Sequence, residues 1–236
     1  MKRFLGVLTC CLTLVGTADA GFQFSDAAPG GNHNGGKVTN LYTSYDDVNE
    51  TLLWSYTVDT QQHDGFWLAI SPGPNPKNYT NGEIAIFYGD LSNGRLTAYE
   101  YNGANNSNSW MNEAYLDSFS VSHVDNGNGS RTVSFVIDVS GINAHKNTND
   151  WSGAAYGSKI GYWFHPLRGS GFTYNGDGTI NSFTQGTQGW YDKNNLNTNS
   201  WDGFHSVPEP GTAWLLGAAL LGGVMIRRRQ LRIAGL

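Results

Sequence analysis

Away from its two ends the chain is a series of short segments rich in β-branched and aromatic residues, without the three-to-four-residue spacing of an amphipathic helix. Residues 53–58 (LWSYTV), 65–71 (GFWLAIS), 84–88 (IAIFY), 96–101 (LTAYEY), 119–124 and 131–139 (RTVSFVIDV) read as strands. Between them stand Asn-Gly pairs at 81–82, 93–94, 102–103, 126–127 and 175–176. Asn-Gly accepts positive φ at both central turn positions, which suits tight hairpins. The spacing therefore predicts hairpins pairing 83–89 with 95–101, 115–124 with 130–139, and 171–175 with 179–184. The predicted fold class is all-β, an antiparallel β-sandwich with jelly-roll order left open. Segments 102–112 and 192–200 read as exposed polar loops. Gly169-Ser170-Gly171 reads as a turn, and the proline-spaced stretch 71–77 as a stiff extended loop.

The ends follow a different pattern. Lys2 and Arg3 precede residues 4–15, which carry no charge, and then Ala18-Asp19-Ala20. A basic start, an apolar run and an A-x-A ending make residues 1–20 a signal peptide, cleaved after Ala20. The competing reading, a buried N-terminal helix, fits those flanks less well. Cys10 and Cys11 lie inside the apolar run, so the mature chain has no cysteine. At the other end, residues 211–226 carry no charge and are followed by Arg227, Arg228, Arg229 and Arg232. At 1.5 Å per residue the run spans about 24 Å, a marginal transmembrane helix against a hydrocarbon core of roughly 30 Å. The arginines mark its cytoplasmic side. Residues 21–206 are thereby expected across the inner membrane, with 230–236 as a short cytoplasmic tail.

Val207-Pro208-Glu209-Pro210, then a Gly- and Leu-rich apolar helix, then Arg227, Arg228 and Arg229, resembles the PEP-CTERM sorting signal over residues 207–229. The resemblance implies recognition by an exosortase, a membrane protease or transpeptidase of Gram-negative bacteria that cuts near Pro-Glu-Pro. It also implies a transient inner-membrane anchor, then release to the cell surface or extracellular space, and an association with exopolysaccharide production. Physically, the two prolines cannot continue a helix upstream and hold an extended segment at the membrane face. Segments 65–77, 83–90 and 96–103 also look similar to ectodomains of other PEP-CTERM proteins of unassigned function.

Separating the ends changes the composition. The whole chain carries 14 Lys and Arg against 19 Asp and Glu, a net charge of −5. Residues 21–206 keep 8 basic and 17 acidic residues, a net charge of −9, with 7 Trp, 12 Tyr and 10 Phe. An acidic domain disfavours nucleic acid as a partner. That many aromatics exceed what one sandwich core easily takes.

Candidate chemistry is sparse. No G-x-S-x-G elbow is present, and without cysteine there is neither thiol catalysis nor a thiolate zinc site. The six histidines show no H-E-x-x-H spacing, although His63-Asp64 and His123-Val124-Asp125 pair an imidazole with a carboxylate. Asp125, Asn128 and Asp177 bring oxygen ligands close together, as Ca²⁺ prefers, but hairpin turns account for them more simply. Trp110, Trp151, Trp190 and Trp201 lie in Asn-, Gly- and Ser-rich surroundings and are candidate stacking platforms for sugar rings. Each competes with a reading as a loop anchor packed on the core. The expectation is a non-catalytic binding or structural ectodomain without a cofactor, with glycan or exopolysaccharide as ligand. The alternative is a secreted carbohydrate-active enzyme, whose carboxylate pair sequence spacing cannot test.

Overall fold

Alternation along a strand places every second side chain on the same face. In the segment TLLWSYTV the buried positions are Leu52, Trp54, Tyr56 and Val58. The computed structural model describes residues 22–26, 31–71, 84–101, 108–145, 151, 153–154, 156 and 161–191. The signal peptide, the proline-spaced loop from residue 72, segments 102–107 and 192–200, Trp201 and the whole sorting signal lie outside the described residues.

The strands are β1 (Phe22–Asp26), β2 (Gly31–Asn32), β3 (Val38–Asp46), β4 (Thr51–Val58), β5 (His63–Ser71), β6 (Ile84–Asp90) and β7 (Arg95–Tyr101). There follow β8 (Tyr115–Asp125), β9 (Arg131–Asp138), β10 (Gly161–Arg168), β11 (Gly171–Tyr174), β12 (Ile180–Thr184), β13 (Thr187–Gln188) and β14 (Trp190–Tyr191). Two short helices, α1 (Ser109–Asn112) and α2 (Val139–Asn143), flank β8 and β9. All pairings are antiparallel, and the elements belong to one unit, Ala20–Pro208.

The three predicted hairpins form. Ile84 pairs with Tyr101 and Asp90 with Arg95, Val121 pairs with Phe135, and Phe172 pairs with Phe183. The second is shorter than expected, because only Val121–Asp125 of β8 faces β9. The first half of β8 pairs with β7 instead, from Arg95↔Ser120 to Tyr99↔Tyr115. This shared strand joins what the sequence pattern reads as two sheets into one curled sheet, ordered β1-β3-β4-β9-β8-β7-β6-β5-β10-β14-β2. Five consecutive strands, β5 to β9, run as a meander at its centre. Segment 102–112 also differs from the loop expectation at its end, where Ser109–Asn112 forms α1.

Curling brings inner faces together. Trp54 of β4 meets Tyr162 of β10 edge-on at 5.1 Å. Tyr56 meets Phe164 at 4.6 Å, and Phe66 stacks on Phe135 at 5.3 Å. Such offset and edge geometries suit the ring quadrupole. Phe66 also lies over Gly89, its cross-strand partner, so closely that a Cβ on Gly89 would stand 2.1 Å from the ring.

Beneath the core runs a buried polar link. The His63 Nδ1–H donates to the Leu167 carbonyl at 2.9 Å, so Nε2 is the acceptor and the Tyr56 hydroxyl donates to it at 2.6 Å. Burial lowers the His63 pKa from 6.5 to about 4 and raises the Tyr56 phenol well above its ordinary value. His63 is therefore a neutral core group, not a metal ligand.

Candidate functional site

The outer face of β5, β6, β7 and β10 is as aromatic as the inner one. Across the register, Trp163, Ala69, Ile86, Tyr99 and Tyr115 form one row, and His165, Trp67, Tyr88 and Thr97 the next. The His165 ring stacks on Trp67 at 3.8 Å, and Trp163 packs edge-on against both at 4.9 Å. Because this outer face is covered, β7 is buried at six successive positions after Arg95, whereas β4 alternates. A strand buried on both faces loses the period-two signature.

The cover is the β11–β12 hairpin, which pairs only with itself. Phe172, Tyr174 and Phe183 turn toward the sheet and join the second cluster. Phe172 stacks on Phe183 at 4.6 Å, and Phe183 meets Tyr88 at 5.4 Å. Polar contacts fasten it further. Arg95 Nη2 donates to the Gly178 carbonyl at 2.6 Å while its guanidinium lies 4.6 Å from the Tyr174 ring centre. The Tyr174 hydroxyl donates to Asp90 at 3.1 Å, and Ile180 N–H donates to the Tyr99 hydroxyl at 2.7 Å. Burial, with the Asp90 carboxylate beside it, raises the Tyr174 phenol. The cover is incomplete: Trp110, Tyr115 and Trp163 remain half-buried at its margin.

The sequence-predicted platforms separate accordingly. Trp110 sits in α1 with one side against this cluster, its backbone N–H donating to the Tyr88 hydroxyl at 3.4 Å. Trp190 is half-buried in β14, opposite Asn32 at the sheet edge. Trp151 is 2% exposed and belongs to the main core. It is thus a loop anchor, and the platform reading is corrected there: polar neighbours in sequence did not keep a large apolar ring from the core. Trp163 lies in β10, which the sequence reading did not assign as a strand, and is a half-exposed tryptophan that sequence reasoning missed.

The calcium candidates are employed as turn acceptors. Asp125 forms a two-point ion pair with Arg131, at 2.6 and 3.0 Å, which lowers its pKa. Asn128 Oδ1 accepts from the Ser130 N–H and hydroxyl, at 3.1 and 2.7 Å. Asp177 Oδ1 accepts from the Thr179 N–H and hydroxyl, at 3.0 and 2.7 Å, and the hydroxyl bond holds its pKa down. Among the described residues, no three His, Cys, Asp or Glu side chains are grouped so as to hold a metal. Asp64 accepts from Gly169 N–H, Ser170 N–H and the Ser170 hydroxyl, pinning the predicted turn into β11.

The family model for the PEP-CTERM protein-sorting motif matches residues 206–229. The chain carries a PEP-CTERM sorting motif. The PEP-CTERM match takes in Val207, Pro208, Glu209, Pro210, Arg227, Arg228 and Arg229, and it supports exosortase-dependent sorting to the cell surface. No curated protein and no solved structure matches the chain.

Proposed function

We propose that this chain is an exported surface protein, held briefly in the inner membrane and processed by an exosortase, whose β ectodomain binds glycan without catalysis. The PEP-CTERM motif at 206–229 carries the sorting part of the reading. The half-buried Trp110, Trp163 and Tyr115 support the ligand class, since exposed faces of such rings stack on sugar rings. A non-catalytic role is supported by the use of carboxylates in structure: Asp64, Asp90, Asp125, Asp138 and Asp177 each accept hydrogen bonds that fix turns, caps or the hairpin cover.

The test is made in the native host. Mass spectrometry of the released protein should find a C-terminus near Pro208–Pro210, and deleting the exosortase should leave the intact chain in the inner membrane. Surface protein still ending at Leu236 would overturn the sorting reading. Exopolysaccharide from the same cells should retain the wild-type chain and retain Trp163→Ala less.

A further inference from the structure

The curled sheet contains a fork. Residues Asp117–Ser120 of β8 pair only with β7, and Val136–Asp138 of β9 pair only with β4, so the two strands part beyond the Val121–Phe135 pair. An open groove of about 550 Å³ occupies the fork, lined by Leu53, Ser118, Ser120, Ser122, Ser134 and Val136 with Phe119 and Phe135. That volume lies within the roughly 300–1,000 Å³ of ligand sites. We propose that this groove binds a neutral polysaccharide chain; the proposal rests on the glycan reading above and places the ligand on another part of the same outer face, where Ser118 stands in register with Thr97, rather than on the tryptophans.

Three features of the lining select that ligand. Its polar groups are four serine hydroxyls, each able to donate or accept, which matches the dual character of sugar hydroxyls. Its apolar groups, Phe119 and Val136 among them, offer surface to the C–H faces of sugar rings, and Val136 is 52% exposed. Among the described residues, no charged side chain lines it. Neighbouring charges are engaged elsewhere. Asp117 accepts from the Ser118 N–H at 2.7 Å, and Asp138 accepts from the Ser140 hydroxyl and the Gly141 N–H. Arg95 reaches Ser118 Oγ only at 3.3 Å and is held more closely by Gly178. Among the described residues a polyanion would find no free cation here, and it would meet a domain of net charge −9.

The groove also continues as a track. Tyr42, Ser55, Ser134 and Ser122 lie in register across four strands on one face. Ser55 and Ser134 share a hydrogen bond at 2.9 Å, and the Ser122 hydroxyl donates to the Ser134 carbonyl at 3.1 Å. Thr57 and Thr132 repeat the pairing one row on, at 3.0 Å. A row of hydroxyls leading out of an open groove suits a chain ligand better than a single ring.

Affinity electrophoresis of the full-length chain in mild detergent tests this, in native gels containing dextran, mannan, mixed-linkage β-glucan or alginate. At least one neutral polymer should retard the protein, and alginate should not. Ser122→Arg and Val136→Arg fill the groove from exposed positions; each should weaken retardation at least tenfold while thermal unfolding stays at the wild-type temperature. If either arginine variant fails to fold, Ser122→Leu is read in its place. Retardation by alginate alone, or by no neutral polymer, would overturn the proposal. Retardation that survives both arginines yet disappears in Trp163→Ala would remove the groove and leave the glycan reading intact. Groove-dependent capture of extended peptides from an array, without any glycan retardation, would assign the fork to a peptide strand instead.

Discussion

His63 shows how far one side chain's role departs from its sequence context. Beside Asp64 it pairs an imidazole with a carboxylate in sequence, yet successive strand residues point to opposite faces. Asp64 faces the Ser170 turn while His63 enters the core between Tyr56 and Leu167. Its folded pKa of about 4 lies below the unfolded 6.5, so the unfolded chain takes up the proton first as pH falls. Its contribution is complete above pH 6.5, is lost between pH 6.5 and 4, and amounts to roughly 3 kcal/mol for a fully buried group. Melting temperatures measured across that window should fall more steeply for wild type than for His63→Phe. An NMR titration midpoint for His63 near 6.5 would show the buried neutral state to be wrong.

The β11–β12 hairpin is the element whose placement matters most, because among the described residues it covers the aromatic part of the outer face and not the hydroxyl-lined part beside β9. It leaves β10 through Gly169, at φ +71, and ends at Gly186, at φ +60. At Gly186 a Cβ would meet the Arg168 and Gly169 carbonyl oxygens at 2.4 Å. Left-handed backbone alone costs a non-glycine residue about 1–2 kcal/mol. Gly186→Ala is thus expected to destabilise by at least that amount. Arg95→Ala, which releases Gly178 and Tyr174, should raise amide exchange across residues 171–184 and spare the β8–β9 amides. Equal loss of protection in both places would mean that the hairpin is not a separately fastened unit.

At the scale of the whole molecule, one core lies between the two halves of a curled sheet, and residues far apart in sequence close it. Trp151 enters from the segment before β10, while Asn143 holds the adjoining Ala154 through two hydrogen bonds, at 2.8 and 2.7 Å. Tyr156 meets Tyr45 edge-on at 5.7 Å. Removing a buried Trp side chain costs about 3–5 kcal/mol. Trp151→Ala should therefore lower the denaturant midpoint strongly, and Trp190→Ala much less. The reverse order would contradict the core assignment of Trp151.

Much of this was legible beforehand for local reasons. Asn- and Gly-rich turns and period-two patterns act within a few residues, so the pairs β6–β7, β8–β9 and β11–β12 could be read directly, although the left-handed turn residues are Gly94, Gly129 and Gly178 and not the asparagines of the Asn-Gly pairs. The sorting motif was equally legible, because Pro-Glu-Pro, an apolar run and arginines act as a linear signal. What the sequence alone determined is thus an antiparallel β domain joined to a PEP-CTERM motif. Tertiary structure decided which tryptophans are buried, that β8 serves two neighbours, and that the sheet splits beside Ser118, Ser120, Ser122 and Ser134. Those outcomes depend on long-range register, which sets the neighbours of a side chain across strands tens of residues apart. No pattern within one strand contains that information.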